Sequence, residues 1–166
     1  MLMPDLHFLV RPLVGLALAS CLALPGVAQG NDAWTQLLET YVHESTDGVN
    51  RVDYAALSAS TADRATLDTY IASFEARDLA GTDDATFAAW TNLYNAVTVR
   101  YIAEKYPLDS IRDGFLFGGP WKKVTVMAGG REVSLDAIEH DILRPRFGDS
   151  RVHYAINCAS YGCPNL

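Results

Sequence analysis

Positive charge is scarce in this chain of 166 residues, which has 13 lysines and arginines against 20 aspartates and glutamates. The formal net charge is −7, and the basic residues form neither a run nor a stripe. Because nucleic-acid binding needs such a positive surface, we do not expect a nucleic-acid partner. Internal repeats and low-complexity stretches are also absent, and the length suits one domain with a core of its own.

One apolar run stands near the N-terminus, from Leu13 to Leu24. Arg11 precedes it, and Pro25 with the small residues Gly26-Val27-Ala28 follows it. This order is typical of a secretory signal peptide cleaved after Ala28, and the run is too short for a stable membrane span. We therefore expect a periplasmic or secreted protein in which residues 29–166 form a single domain.

Cysteine is rare, with Cys21, Cys158 and Cys163 as its three occurrences. Leu18-Ala19-Ser20-Cys21 resembles a bacterial lipobox, so a lipoprotein anchored at Cys21 is the alternative to soluble export. Cleavage after Ala28 would leave Cys158 and Cys163, an even pair that forms a disulfide candidate in an oxidising compartment.

Helices are predicted first along the chain and strands later, which is typical of an α+β domain. Apolar spacing predicts helices over about 32–44, from Leu67 to near Ala80, and over about 84–105. The last of these is apolar on both sides, so we expect it to be buried and packed on an antiparallel sheet. Extended segments are predicted at 49–54, at 151–156, and at 123–128 and 131–133 around the turn Gly129-Gly130. Ser134 is the expected N-cap of a helix over 135–143.

Several polar residues in predicted helices are candidate binding residues. Asn92 and Asn95 lie three apart on one flank of the central helix, where they either tie it to neighbouring loops or form a polar patch facing a cleft. Glu139 lies in an apolar arc and needs a partner, either Arg144 or Arg146 in an ion pair or a histidine that it orients. His140 lies outside that arc, near Asp136.

The C-terminal segment concentrates residues with reactive side chains. On the predicted last strand His153 and Asn157 share one face, and a turn is needed to bring Cys158 or Cys163 toward the imidazole. A thiol beside a histidine is the pair used in nucleophilic catalysis. Besides a disulfide and a thiol–histidine pair, a third alternative is a metal site formed by His140, His153 and the two cysteines. These residues lack the short ligand spacing of zinc sites.

Four sequence motifs, in this order, resemble those of the domain of unknown function 547 family. They are Trp90-Thr91-Asn92-Leu93-Tyr94-Asn95-Ala96, Tyr106-Pro107 with Ser110-Ile111, Ser134-Leu135 with Ile138-Glu139-His140, and His153 to Ser160 with Cys163-Pro164. The resemblance covers about residues 34–166. It implies exported bacterial relatives and a fold related to the papain-like and transglutaminase-like group. Members of that family continue beyond the Cys-Pro motif, so the resemblance also implies that this domain is incomplete at its C-terminus.

Two functional classes follow from these residues. The first is a thiol-dependent hydrolase or transferase for a peptide, amide or thiol-containing substrate, with His153 as base, Cys158 or Cys163 as nucleophile and Glu139 or an asparagine as the orienting group. The second is a non-catalytic binding or scaffolding module with a Cys158–Cys163 disulfide, in which Asn92, Asn95, His140 and Asn157 contact the ligand. Neither class calls for a cofactor.

Overall fold

The computed structural model describes residues 28–115, 119–160 and 162–166. Residues 1–27 of the predicted signal peptide, Cys21 among them, lie outside the described residues. Helices dominate the described part: α1 Ala28–Tyr41, α2 Tyr54–Ala59, α3 Thr61–Ala72, α4 Asp84–Lys105, α5 Leu135–Ala137, α6 Arg144–Phe147 and α7 Val152–Ala155. Strand β1 Val42–His43 pairs with β2 Arg51–Val52, and β3 Thr125–Ala128 pairs with β4 Arg131–Ser134, both antiparallel. The α+β class is thereby confirmed.

Four helices begin at residues whose side chains cap them. The side chains of Asp53, Ser60, Asp83 and Ser134 each accept a hydrogen bond from the backbone N–H three residues later. Such caps satisfy one of the free N–H groups at a helix start. The N-cap predicted at Ser134 is confirmed, and the cap at Asp53 explains why Tyr54 begins a helix rather than ending an extended segment.

Helix α4 is the buried centre of the domain and has the predicted bounds. Trp90 and Tyr94 on one side are at most 1 % exposed, and Ala96 and Val99 on other sides are buried as well. Its packing neighbours include α2, α3 and α5. A helix apolar around its whole circumference needs such partners on all sides. No helix among the described residues is long and apolar enough to cross a membrane.

The sheets differ from the single antiparallel sheet expected under α4. Two separate two-stranded sheets are present in the described ranges. The β3–β4 hairpin, predicted around Gly129-Gly130, is confirmed, and it docks on the residues after α3. The Gly129 N–H donates to the Phe74 carbonyl at 2.9 Å and the Gly130 N–H to the Glu75 carbonyl at 2.7 Å. The hairpin therefore caps the α3 end instead of forming a platform for α4.

The strand predicted over 151–156 is wrong, because the chain forms the short helix α7 there. Val152 and Ile156 are both buried, and their spacing of four places them on one side of a helical turn. Asp149 holds the start of this turn through the backbone N–H and the guanidinium of Arg151. The face that His153 and Asn157 were expected to share on a strand does not exist.

The N-terminal helices pack through aromatic side chains. The Trp34 ring of α1 stacks on Tyr70 of α3 at 5.8 Å, and Tyr70 meets Phe74 edge-on at 5.2 Å. The first helix ends at Tyr41, three residues earlier than predicted, because Val42 pairs with Val52 in the first sheet. The second predicted helix ends at Ala72 rather than near Ala80.

Candidate functional site

The segment after α5 is π-helical from Ile138 to Leu143, and α6 continues from it. The Arg144 N–H donates to the Glu139 carbonyl, a bond between residues five apart. π-Turns of this kind are rare and frequently occur at functional sites. This one carries Glu139 and His140, two of the residues that the sequence marked as candidates.

Glu139 pairs with Arg144, the ion-pair alternative raised from the sequence. Its Oε1 accepts hydrogen bonds from Arg144 Nη2 at 2.6 Å and Nε at 3.2 Å. The Glu139 side chain is 15 % exposed, and that of Arg144 is 44 % exposed. Arg144 Nη2 also lies 3.4 Å from Nδ1 of His153. The guanidinium therefore stands between the carboxylate and His153, and Arg146 bonds instead to the Leu79 carbonyl.

A cleft of about 480 Å³ opens beside this ion pair. It is lined by Tyr94, Gly119, Trp121, Lys122, Lys123, Asp136, Glu139, His140 and Cys158. Of the residues proposed from the sequence, Glu139, His140 and Cys158 are thus brought to one cleft. His153 is not among the described residues that line it.

The cleft wall formed by Trp121 and Asp136 is tied together by the backbone. The Asp136 N–H donates to the Trp121 carbonyl at 2.9 Å, and the Leu135 N–H donates to the Val124 carbonyl at 3.3 Å. The Lys122 ammonium lies 3.9 Å from the Asp136 carboxylate. These contacts hold an aromatic ring and a carboxylate side by side.

Tyr94 is a buried tyrosine that lines the cleft. The residue is fully buried, and its hydroxyl donates no hydrogen bond to an acceptor among the described residues. Burial raises the pKa of the Tyr94 phenol above its ordinary value, nearby Glu139 raises this pKa further, and Trp121 acts in the opposite direction. The indole of Trp121 can only donate, so the phenol proton is left without an acceptor. A buried polar group in this condition calls for an explanation.

Cys158 and Cys163 form a disulfide. The Cys163 N–H donates to the Ser160 carbonyl at 2.9 Å, and the Cys158 N–H lies 3.2 Å from Cys163 Sγ. The thiolate is the nucleophile in cysteine chemistry, and a disulfide sulfur is not one. Of the two alternatives left open by the sequence, a disulfide or a reactive thiol, the structure therefore has the disulfide.

Asn95 and Asn157 hold the disulfide loop against α4. Asn95 Nδ2 donates to the Ala155 carbonyl at 3.0 Å, and its Oδ1 accepts the Asn157 N–H at 2.8 Å. The Asn157 carboxamide bonds to the Pro164 carbonyl at 2.6 Å and to the Ala159 N–H at 2.7 Å. Both side chains are thus used within the protein. Asn92 is half-buried, and its side chain makes no hydrogen bond within the described part of the chain.

A metal site also finds no support in the geometry. In the ranges described, no group of three or more His, Cys, Asp or Glu side chains lies close enough to hold a metal ion. Two of the four ligands considered for such a site are joined to each other in the disulfide.

The sequence interpretation missed Tyr94 and Trp121 as site residues. Tyr94 was assigned to the apolar stripe of α4, which its burial supports. Its hydroxyl was the available signal, because a buried tyrosine hydroxyl usually has a hydrogen-bond partner. No local pattern marks Trp121, whose position depends on the contacts of its loop with α5.

A sequence model of the family described as "Protein of unknown function, DUF547" matches residues 79–166. The match spans just over half of the chain and includes α4, the β3–β4 hairpin, the π-turn and the disulfide loop. No curated protein and no solved structure matches the chain.

Proposed function

The chain belongs to the DUF547 family, and we propose that it is an exported module that binds a small peptide- or amide-like ligand in the cleft beside the Cys158–Cys163 disulfide. This is the binding alternative raised from the sequence. The catalytic alternative is retained as a second candidate on a separate observation.

The Tyr94 hydroxyl is the observation that carries the proposal. This hydroxyl is buried and has no acceptor among the described residues, and the residue Tyr94 lines the cleft. A buried hydroxyl without a partner destabilises a protein by about 1–3 kcal/mol. An amide carbonyl of a bound ligand would accept this proton and remove that penalty.

The charges and size of the cleft favour a ligand with both donors and acceptors. Asp136 and Glu139 are negative, Lys122 and Lys123 are positive, and the volume of about 480 Å³ lies within the usual range for small-molecule sites. The ring of Trp121 adds an aromatic surface. A peptide or amide matches this mixture better than a ligand of a single charge sign.

The disulfide and Asn95 give this cleft a preorganised wall. Asn95 fixes residues 155 and 157 to α4, and the disulfide closes the loop that follows. Preorganised walls reduce the ordering cost of ligand binding. In this proposal Asn95 and Asn157 act as positioning residues, and His140 is the remaining candidate for direct contact, because Asn92 is not among the described residues that line the cleft.

Thiol chemistry is the second candidate, because Cys158 lines the same cleft as Glu139 and His140. Reduction of the disulfide would free a thiol in a cleft that an imidazole and a carboxylate also line, and these three groups are used by cysteine hydrolases. His140 suits the role of general base better than His153, because His140 lines the cleft whereas His153 contacts Arg144. The roles assigned to His153, Cys158, Cys163 and Glu139 from the sequence stay predictions.

Export and the papain-like relation belong to the same proposal. Export rests on the signal-peptide pattern before residue 29, and a lipid anchor at Cys21 is its alternative. The relation to papain-like and transglutaminase-like folds rests on the family resemblance.

Paired substitutions of two buried tyrosines test the binding function. Tyr94→Phe removes the cleft hydroxyl, and Tyr70→Phe removes another buried hydroxyl without a partner among the described residues, in the α1–α3 core. The probe is a panel of dipeptides and N-acetyl amino acid amides, observed by saturation-transfer NMR. We expect at least one compound to bind the unaltered chain and Tyr70→Phe equally.

The same compound should bind Tyr94→Phe at least about fivefold more weakly, which corresponds to one lost hydrogen bond. Without ligand, both variants should be as stable as the parent or slightly more stable. Equal ligand affinity in Tyr94→Phe and the parent would contradict the assignment of the cleft, and so would a panel without any binder.

A further inference from the structure

A second cavity gathers positive charge on this acidic chain. It has a volume of about 270 Å³ and lies between the segment after α3, the β3–β4 turn and α6. Its charged lining residues are Arg77, Asp78, Arg131 and Arg146. Three arginines against one aspartate leave an excess of positive charge among the lining residues, although the formal net charge of the chain is −7. We call this cavity the arginine pocket.

Within the described residues, the three arginines lack the acidic partners that Arg144 and Arg151 have. Arg144 pairs with Glu139 and Arg151 with Asp149, each at 2.6 Å. No ion pair joins Arg77, Arg131 or Arg146 to a carboxylate within the described residues. Gathered cations repel one another, so their shared position favours an anion from outside the protein.

Two of the guanidinium groups are held in place by contacts that leave their charge uncompensated. Arg146 Nη1 donates to the Leu79 carbonyl at 2.6 Å, and Trp90 Nε1 donates to the same oxygen at 3.3 Å. The Arg77 guanidinium lies over the Phe74 ring, 5.2 Å from its centroid. Arginines that are already ordered lose less conformational freedom when they bind an anion.

The third arginine is placed by the hairpin. The backbone bonds from Gly129 and Gly130 to the residues after α3 fix the β3–β4 turn beside Arg77. Arg131 begins β4 directly after this turn and is exposed at the pocket. It is therefore accessible, and its substitution removes no hydrogen bond within the described part of the protein.

We propose that the arginine pocket binds the phosphate group of a small phosphorylated molecule. A phosphate monoester carries nearly two negative charges at neutral pH and three acceptor oxygens, which suits several guanidinium groups around one cavity. A single planar carboxylate is satisfied by one bidentate arginine and would use this arrangement less fully. This site lies apart from the Tyr94 cleft and shares no lining residue with it.

Calorimetric titration with inorganic phosphate and with glycerol phosphate tests the proposal, at constant ionic strength maintained with chloride. The variants are Arg131→Gln and Arg77→Gln/Arg131→Gln. The matched control is Arg112→Gln, because Arg112 is exposed and outside the pocket. Arg146 is left unchanged, since its bond to the Leu79 carbonyl supports the fold.

We expect both phosphates to bind the unaltered chain with a dissociation constant below about 10 mM. Arg131→Gln should weaken binding about tenfold, the double variant should abolish it, and Arg112→Gln should leave it unchanged. Tyr94→Phe should also leave it unchanged, which separates this site from the ligand cleft.

Three results would overturn the assignment. The first is the absence of phosphate binding up to about 10 mM in a folded protein. The second is an equal loss in Arg112→Gln and Arg131→Gln, which would indicate unspecific charge attraction. The third is tighter binding of succinate than of either phosphate, which would make the pocket a dicarboxylate site.

Discussion

Glu139 and Arg144 lie five residues apart, yet the guanidinium of Arg144 donates two hydrogen bonds to one carboxylate oxygen of Glu139. In an α-helix residues five apart point about 140° away from each other, because each residue advances by about 100°. The π-turn over Ile138–Leu143 reduces this angle and brings the pair together. The ion pair at the edge of the cleft therefore depends on a local departure from α-helical geometry.

Removing the arginine of this pair should destabilise the protein. Arg144→Gln leaves the mostly buried Glu139 carboxylate without its partner, and we expect a loss of about 1–3 kcal/mol in the free energy of unfolding. Urea denaturation measures it. The exposed pair Arg51–Asp47 is the control, where Arg51→Gln should cost no more than about 1 kcal/mol. Similar losses in the two variants would mean that the burial of Glu139 has no energetic consequence.

The two asparagines of α4 should respond differently to substitution. Asn95→Ala removes the bonds to the Ala155 carbonyl and the Asn157 N–H, so a loss of about 2–4 kcal/mol in unfolding free energy is expected. Asn92→Ala, three residues earlier on the same helix, removes no bond within the described residues and should change stability by about 0.5 kcal/mol at most. Comparable effects at both positions would disagree with the clamping role of Asn95.

Thiol titration distinguishes between the two functional hypotheses, a binding module with a disulfide and an enzyme with a reactive thiol. In the chain cleaved after Ala28, purified under oxidising conditions, we expect no reactive thiol because Cys158 and Cys163 are joined. Cys158→Ser/Cys163→Ser should lower stability by about 2 kcal/mol, as a short closed loop predicts. A free thiol that reacts with a maleimide near neutral pH in the untreated protein would instead favour the enzyme.

Truncation of the central helix core should be severe. Trp90→Ala empties a site that is 1 % exposed, and we expect a loss of about 3–5 kcal/mol. Tyr154→Ala is the control, since this aromatic ring is 77 % exposed and its removal should cost less than about 1 kcal/mol. Thermal or urea unfolding measures both, and a loss below about 1 kcal/mol for Trp90→Ala would mean that α4 is not the core.

Export can be checked on the protein recovered from a bacterial periplasm. We expect a mature chain whose first residue is Gln29, because small residues precede Ala28 and follow an apolar run. Intact-mass spectrometry measures the cleavage point directly. An N-terminal acylated Cys21 would replace this prediction with the lipoprotein alternative, and Cys21→Ser is the control that should leave cleavage after Ala28 unchanged.

The elements that the sequence predicted correctly are those with strong local signals. Helix α4 followed from an apolar pattern on both of its sides and from Pro107 after its end, and the β3–β4 hairpin followed from Gly129-Gly130. Ser134 was identified as an N-cap because its hydroxyl can satisfy a backbone N–H three residues later. Each of these depends on residues within one or two turns of each other.

The segment 151–156 shows where local signals were insufficient. Its residues are compatible with a strand, but Val152 and Ile156 also have the spacing of one helical turn. The chain forms the helix α7 because this conformation buries both side chains. Glu139, His140 and Cys158 line one cleft, whereas His153, the histidine that the sequence favoured as a base, contacts Arg144. Arg144 is the partner of Glu139, for which the sequence had left Arg144, Arg146 or a histidine as alternatives.

The sequence by itself determined the acidic balance of the chain, its buried central helix, its hairpin and its family. Only the tertiary structure decided the π-turn, the Cys158–Cys163 bond, the cleft around Tyr94 and the arginine pocket. These features join residues from separate elements, and their positions depend on which side chains pack and which hydrogen bonds form when the elements meet. The physical reason is that local propensity acts over a few residues, whereas a site is defined by contacts between distant ones.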